Sequence, residues 1–447
     1  MRTLNFRKAA HIAWGCIITM FWLTIATSTW AQPNSPTTQA SNIRPAVSLG
    51  DSLQRAGQGP VHIFYVHGIG ATGSGDSAQL RKSICGFLKD CTNPDSPATG
   101  RETADQGMFA PGAPIPALTY MGSPVWSTQQ AWQASAPFVD HYVLQRKNGQ
   151  KILLDEINWW PLVFPLKCNN ILIGEAQLAG INSSYISTCE RVILNPALQS
   201  LQAVSSTAVP LNRAVKISLM DWGFSDALMA AGPMQKMMVQ GIRQLVLKSV
   251  AKAKTIETGA PLSADEYVAV SHSLGSFLIF AALNLDNWSS SINPSVTSTV
   301  GTSLEDQQAA LGYVLQHLSQ VYFFANQVPL MELAELDGGA AATIKLAHFS
   351  DDLKKWAAAR NSYLQERPAD NTGSGYQPQI VAWSDPNDLL TWHVPDIEGV
   401  SVVNLMAANS FRWLWLAENP IAAHDNYDQN PHVIRLLMKP IAEHNAK

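Results

Sequence analysis

The sequence predicts an α/β fold, a mostly parallel sheet flanked by helices, and three observations predict it. Short β-branched and aromatic runs (Val61–Val66, Tyr267–Val270, Val321–Ala325, Ile380–Trp383 and Val400–Leu405) alternate with longer stretches of helical period. That is the pattern of strands joined by crossover helices. Most of the runs are apolar throughout, as strands covered on both faces are. The 447 residues exceed one minimal domain, and one core carrying a large insertion accounts for that length better than two independent domains.

In chain order, residues 1–31 place Arg2, Arg7 and Lys8 before the apolar stretch Ala9–Ala26 and end in Thr29-Trp30-Ala31. This is the layout of a secretory signal peptide cleaved near Ala31. The alternative is an uncleaved membrane anchor, since the apolar stretch approaches a bilayer-spanning length. Trp14, where a small residue is needed, speaks against lipid processing at Cys16. Residues 32–42, rich in Pro, Ser, Thr and Gln, read as a flexible leader.

Val61–Val66 opens into His67-Gly68-Ile69-Gly70, and a helix is expected over Ser77–Leu88. Gly68-Ile69-Gly70-Ala71-Thr72-Gly73 spells a dinucleotide fingerprint, but that motif requires a second strand ending in an acid about 20 residues on. Asp90-Cys91-Thr92-Asn93-Pro94 follows instead, so no cofactor is expected. The glycines then let the backbone pass close to a substrate carbonyl.

Phe138–Gln145 and Lys151–Trp159 form a hairpin through Asn148-Gly149, a dipeptide suited to the turn; the second arm is a candidate core strand. Met220–Asp226 is aromatic and loop-like, either a cap over a pocket or a satellite cluster. Met234, Met238, Ile242, Leu245 and Val246 make a helical stripe that faces the core. A second helix is expected over Asp351–Leu364, and Asp370–Gly375 is a linker.

The most informative stretch is Ser271-His272-Ser273-Leu274-Gly275, directly after the strand Tyr267–Val270 and before Ser276–Ala282. It reads as a nucleophile elbow, in which a sharp, strained strand-to-helix turn lifts one serine above the sheet edge. Ser271 stands where Gly is usual, but remains small. Downstream, Ile380–Trp383 opens into Ser384-Asp385-Pro386-Asn387-Asp388, and Pro420–His424 precedes a C-terminal helix. The order is Ser, Asp, His. A serine hydroxyl near neutral pH needs an imidazole to take its proton and a carboxylate to hold that imidazole in the right tautomer. Asp388 is favoured over Asp385, whose Pro-Asn context suits a turn residue bonding its own backbone. His424, placed in a loop, is favoured over His432, a solvated first-turn residue of the last helix. His67 and His272 are expected to supply shape and polarity near the site.

On these motifs in this order, the chain resembles the α/β-hydrolase superfamily, in its lipase and esterase group. The resemblance implies an α/β-hydrolase fold with a large insertion at about residues 92–215, a possible lid, between the strand at Val61 and the elbow. It implies Ser273 as nucleophile, His424 as general base, Asp388 as its orienter, and the backbone N–H groups of Ile69 and Leu274 as oxyanion hole. The expected function is an exported serine hydrolase cleaving small-molecule or lipid esters through an acyl-enzyme. A thioesterase or amidase on the same fold, or a non-catalytic binding protein, are the alternatives. Some of Trp126, Trp132, Trp159, Trp160 and Trp222 are expected to line an acyl pocket.

Removing residues 1–31 takes away Arg2, Arg7 and Lys8 and no acid, so the net charge goes from −4 to −7. That argues against nucleic acid as a partner. Cys85, Cys91, Cys168 and Cys189 form an even set suited to two disulfides in an exported chain. Proximity favours Cys85 with Cys91 and Cys168 with Cys189. No Cys or His cluster has metal-ligand spacing, so no metal is expected.

Overall fold

The continuous apolar runs pair into one nine-stranded sheet. The computed structural model describes residues 47–69, 74–92, 94, 96–98, 100–105, 119–120, 123–124, 136–168, 171, 220, 223–232, 234–256, 266–283, 304–334, 347–366, 378–409 and 420–439. The signal segment, the leader, Gly70 to Gly73, the linker at Asp370, Cys189, Trp126, Trp132 and Trp222 lie outside these residues.

The strands are β1 (Val61–Val66), β2 (Cys91–Thr92), β3 (Glu102–Thr103), β4 (Thr119–Tyr120), β5 (Ser123–Pro124), β6 (Phe138–Arg146), β7 (Lys151–Asn158), β8 (Glu266–His272), β9 (Leu318–Phe324), β10 (Gln379–Ser384) and β11 (Ser401–Met406). The helices are α1 (Leu49–Ala56), α2 (Ala78–Leu88), α3 (Phe164–Lys167), α4 (Ser225–Ala231), α5 (Gln235–Ile256), α6 (Gly275–Leu283), α7 (Leu304–His317), α8 (Val328–Ala334), α9 (Ala347–Glu366), α10 (Pro420–Asp425) and α11 (Pro431–Met438). In space the strands run β11-β10-β9-β8-β1-β7-β6-β2. From β11 to β7 every pairing is parallel, whereas β6 is antiparallel to β7, and β2 and β3 are antiparallel to β6. The hairpin is therefore part of the main sheet: β7 pairs with β1 along its length, and Gly149 takes φ 90° at the turn.

Period-2 alternation sends successive side chains of one strand to opposite faces. Phe64 and Val66 join one apolar cluster, with Met238, Ile242 and Leu245 of α5, Leu278 of α6 and Trp356 of α9. Val61, Ile63 and Tyr65 join the other, with Leu49 and Leu53 of α1, Ile84 of α2 and Leu437 of α11. Both faces are thus covered, which is why β1, β8, β9 and β10 tolerate almost no exposed position.

Two expectations are corrected. The stretch read as loop over Met220–Asp226 enters α4 at Ser225, because the Ala-Leu-Met-Ala-Ala that follows favours helix and Asp226 in the first turn suits its positive end. Asp226 is buried on this helix and pairs with the buried Lys167 of α3 at 2.5 Å. His424, expected in a loop, sits in the last turn of α10, whose first residue is Pro420, and proline pre-sets the helical φ at that position.

Cys85 and Cys91 form a disulfide, with Cα atoms 5.2 Å apart, that ties the end of α2 to β2. Cys168 is disulfide-bonded too. Opening the Cys85–Cys91 bridge with Cys85→Ser is expected to lower stability by roughly 2 kcal/mol on the loop-closure argument, measured by denaturant unfolding of the oxidised protein and the variant. An unchanged midpoint would mean the bridge constrains nothing that matters. Among the described residues, no helix is long and apolar enough to cross a membrane.

Candidate active site

Ser273 lies between β8 and α6 with φ 55°, one of three non-glycine residues in the left-handed region among the described residues. That conformation is costly for an L residue and persists where the surroundings over-determine it. The surroundings here are tight. Ser273 N–H donates to the Phe324 carbonyl of β9 at 2.8 Å, and Ser276 Oγ donates to the Ser273 carbonyl at 2.6 Å. A Cβ on Gly275 would stand 2.6 Å from the His67 carbonyl oxygen and also meet that of Val66; a Cβ on Gly68 would stand 2.5 Å from the Ser273 Cβ. Only glycine lets the elbow and the end of β1 approach this closely.

The loop after β1 is anchored from β7. The buried Glu156 carboxylate accepts hydrogen bonds from the N–H groups of Gly75, Asp76 and Ser77 at 2.8, 3.2 and 2.8 Å, and from Ser77 Oγ at 2.5 Å. A carboxylate there also faces the positive end of α2. Among the described residues, the Ile69 and Leu274 N–H groups donate to no acceptor.

Asp388 and His424, 36 positions apart, meet. His424 Nδ1 lies 2.9 Å from Asp388 Oδ1 and 3.0 Å from Oδ2. A carboxylate only accepts, so Nδ1 carries the proton and Nε2 the lone pair. Nε2 is buried and has no hydrogen-bond partner among the described residues. Burial pulls the His424 pKa down, but the hydrogen bond and charge of Asp388, with Asp425 adding, outweigh it and leave it raised. Tyr427 donates to Asp388 Oδ2 at 3.3 Å and accepts from the Asp385 N–H at 2.7 Å.

Asp385 is placed differently. Its Oδ1 accepts the Asn387 N–H at 2.9 Å and its Oδ2 the Asn409 N–H at 2.6 Å, so it closes its own turn and holds the loop after β11. His432 is exposed at the start of α11, with Asn430 capping its N–H.

His272 joins the halves of the site. Its Nε2 donates to the His424 carbonyl at 2.7 Å, and the two rings meet edge to face with centroids 4.9 Å apart. Burial, then the neighbouring His424, push its pKa down to about 4; burial takes His67 to about 3. Both are neutral near pH 7. Trp159 is fully buried, stacks on His67 and donates to its carbonyl at 3.1 Å; Trp160 packs on Phe164. Neither ring lines the small apolar cavity by the site, which is formed by Ile69, Phe224, Ala227, Gln327, Leu330 and Leu390. Trp159 belongs to the apolar core, and the half-buried Trp160 packs against the same cluster.

Ring nitrogens of His272 and His424 and a carboxylate oxygen of Asp425 gather within 4.8 Å of one another. Tertiary contact makes this group, so sequence spacing could not reveal it. Each histidine already commits one nitrogen, to the His424 carbonyl and to Asp388.

Gln327 was not anticipated. Its Nε2 donates to Ser273 Oγ at 2.7 Å, while no hydrogen bond joins Ser273 to His424. The available signal was Asn326-Gln327, two amides directly following an apolar strand that neighbours the elbow strand. No family model matches the chain, and comparisons with curated proteins and with solved structures likewise find no match.

Proposed function

We propose that the protein is a serine hydrolase of the α/β-hydrolase kind that cleaves carboxylic esters with an apolar acyl group. The reading rests above all on the bonded Asp388–His424 pair with an unpartnered Nε2, beside a serine on a strained strand-to-helix turn. In this scheme Ser273 Oγ attacks the ester carbon and passes its proton to His424 Nε2, while Asp388 holds Nδ1–H and steadies the imidazolium. The oxyanion is received by the Ile69 and Leu274 N–H groups. The alcohol departs with the proton from His424, and a water deprotonated by the same nitrogen releases the acid.

An apolar acyl group fits the lining of the neighbouring cavity. Phe224, which lines it, is 42% exposed, and two neighbours in sequence of lining residues, Leu228 and Leu389, are 60% and 69% exposed. The Cys85–Cys91 disulfide supports an oxidising compartment, hence export.

The test is labelling by a fluorophosphonate with peptide mapping, together with a panel of p-nitrophenyl esters of graded chain length. Label on Ser273 and hydrolysis of apolar acyl esters are expected; an unlabelled protein inert to the whole panel sinks the reading.

The raised His424 pKa gives a pH prediction with a definite sign. Protonated Nε2 cannot accept the serine proton, so activity is lost as pH falls through the raised value. The acidic limb of kcat/KM is expected above the ordinary 6.5 of histidine. A limb centred below 6.5 would contradict the pairing with Asp388.

A further inference from the structure

We infer that Gln327 is a catalytic residue, a side-chain oxyanion donor that acts beside the backbone N–H groups. The inference rests on the hydrolase reading above. Gln327 is 1% exposed and follows β9, the strand next to the elbow strand. Ala325, two residues earlier, takes φ 54°, so the chain accepts a strained turn there that swings Asn326 and Gln327 towards Ser273. Strain of this sort is retained where geometry has a purpose.

The backbone that carries the carboxamide is fixed by hydrogen bonds on either side. Ser276 Oγ donates to Asn326 Oδ1 at 3.1 Å and accepts the Gln327 N–H at 3.4 Å, joining the end of β9 to the first turn of α6. Asn326 is fastened in turn to the loop that carries Asp388: its carbonyl accepts the Trp392 N–H at 2.9 Å, and its Nδ2 donates to the Trp392 carbonyl at 3.2 Å. From this base Gln327 Nε2 reaches Ser273 Oγ at 2.7 Å.

Gln327 also lines the same cavity as Ile69. A substrate carbonyl that meets Ser273 from that cavity has Ile69 and Gln327 on its walls. On attack, Oγ and the former carbonyl oxygen become bonded to one carbon, and two such oxygens are closer together than a hydrogen bond is long. The charge develops on the carbonyl oxygen, so a donor that began on Oγ transfers to it with a small pivot. Gln327 Oε1 is buried with no partner among the described residues, so the pivot sacrifices no second bond. A buried donor this close to the developing charge needs only that short pivot, and no water has to be recruited to replace it.

The test compares wild type with Gln327→Met, which keeps size and removes the donor, and Gln327→Glu, which replaces it by an anion. Three quantities are read: kcat and KM on the best p-nitrophenyl ester, inhibition by a trifluoromethyl ketone that forms a tetrahedral oxyanion adduct, and the fluorophosphonate labelling rate. Gln327→Met is expected to lower kcat about ten- to a hundredfold with KM within a few-fold, and to weaken the ketone by the same factor. Gln327→Glu should be worse on all three, with melting temperature unchanged for at least one variant. A rise in kcat or labelling rate would show that the bond only restrains the serine, and would overturn the inference, as would a loss confined to KM or unaltered ketone affinity. If both variants unfold, Gln327 is structural and the inference falls. Wild-type protein that neither labels nor turns over ester instead removes the hydrolase reading itself.

Discussion

Ser273→Ala is expected to abolish fluorophosphonate labelling and to cut ester turnover by about 10⁴-fold or more, since removing the nucleophile of a triad leaves only binding and oxyanion stabilisation. The fold should survive. Alanine occupies φ 55° at no greater steric cost than serine, and the Ser273 N–H bond to Phe324 uses the backbone alone. Among the described residues, the interaction lost is the hydrogen bond from Gln327 Nε2, and an unpaired buried donor costs about 1–3 kcal/mol. Turnover measured with the melting curve separates the two effects. A variant with intact melting and near wild-type turnover would falsify the nucleophile assignment and place the chemistry elsewhere. Ser271→Ala is the natural control, because Ser271 is buried in β8 and fills a small-residue position.

The second large effect is expected at Asp388. Asp388→Asn keeps the shape but lets the amide donate where the carboxylate could only accept, so His424 is turned towards the wrong tautomer and kcat should fall by about 10⁴-fold. The acidic limb of the pH profile should also move down, since the hydrogen bond and charge that raise the His424 pKa come from Asp388. Asp385→Asn should do something else. Its carboxylate accepts from Asn387 and Asn409 and lies against no histidine in the site, so its loss should loosen the two loops and lower the melting temperature by a few degrees with kcat reduced far less. Both variants are read by the same two measurements. If Asp385→Asn abolishes turnover and Asp388→Asn merely destabilises, the carboxylate role passes to Asp385.

Local signals carried much of this molecule. Val61–Val66 was legible to the residue because a β-branched and aromatic run, broken only by His62, is bounded by Pro60 and His67-Gly68. The hairpin was legible from Asn148-Gly149, since that dipeptide tolerates the turn geometry that few others do. The elbow was legible because a strand, a small-residue turn and an apolar helix follow one another without a gap. The Cys85–Cys91 bridge was legible from proximity along the chain. In each case the residues that decide the structure are near neighbours in sequence, and short-range sterics and turn chemistry act on near neighbours.

What the tertiary structure alone decided involves residues far apart. Asp388 and Asp385 differ by three positions, yet one meets His424 and the other Asn409, which depends on how the loop after β10 crosses the end of β11. Gln327 lies 54 positions from Ser273 and reaches it only because β9 pairs beside β8. Trp159, one of five tryptophans of which some were expected to line a pocket, stacks on His67 because β7 pairs beside β1. Strand order in a sheet is set by the sum of burial over both faces, a quantity that no window of sequence contains. The sequence by itself therefore determined most of the elements, the strand-to-helix turn at Ser273 and the order of Ser273, Asp388 and His424 along the chain. The fold decided which carboxylate, which amide and which apolar wall those groups would meet.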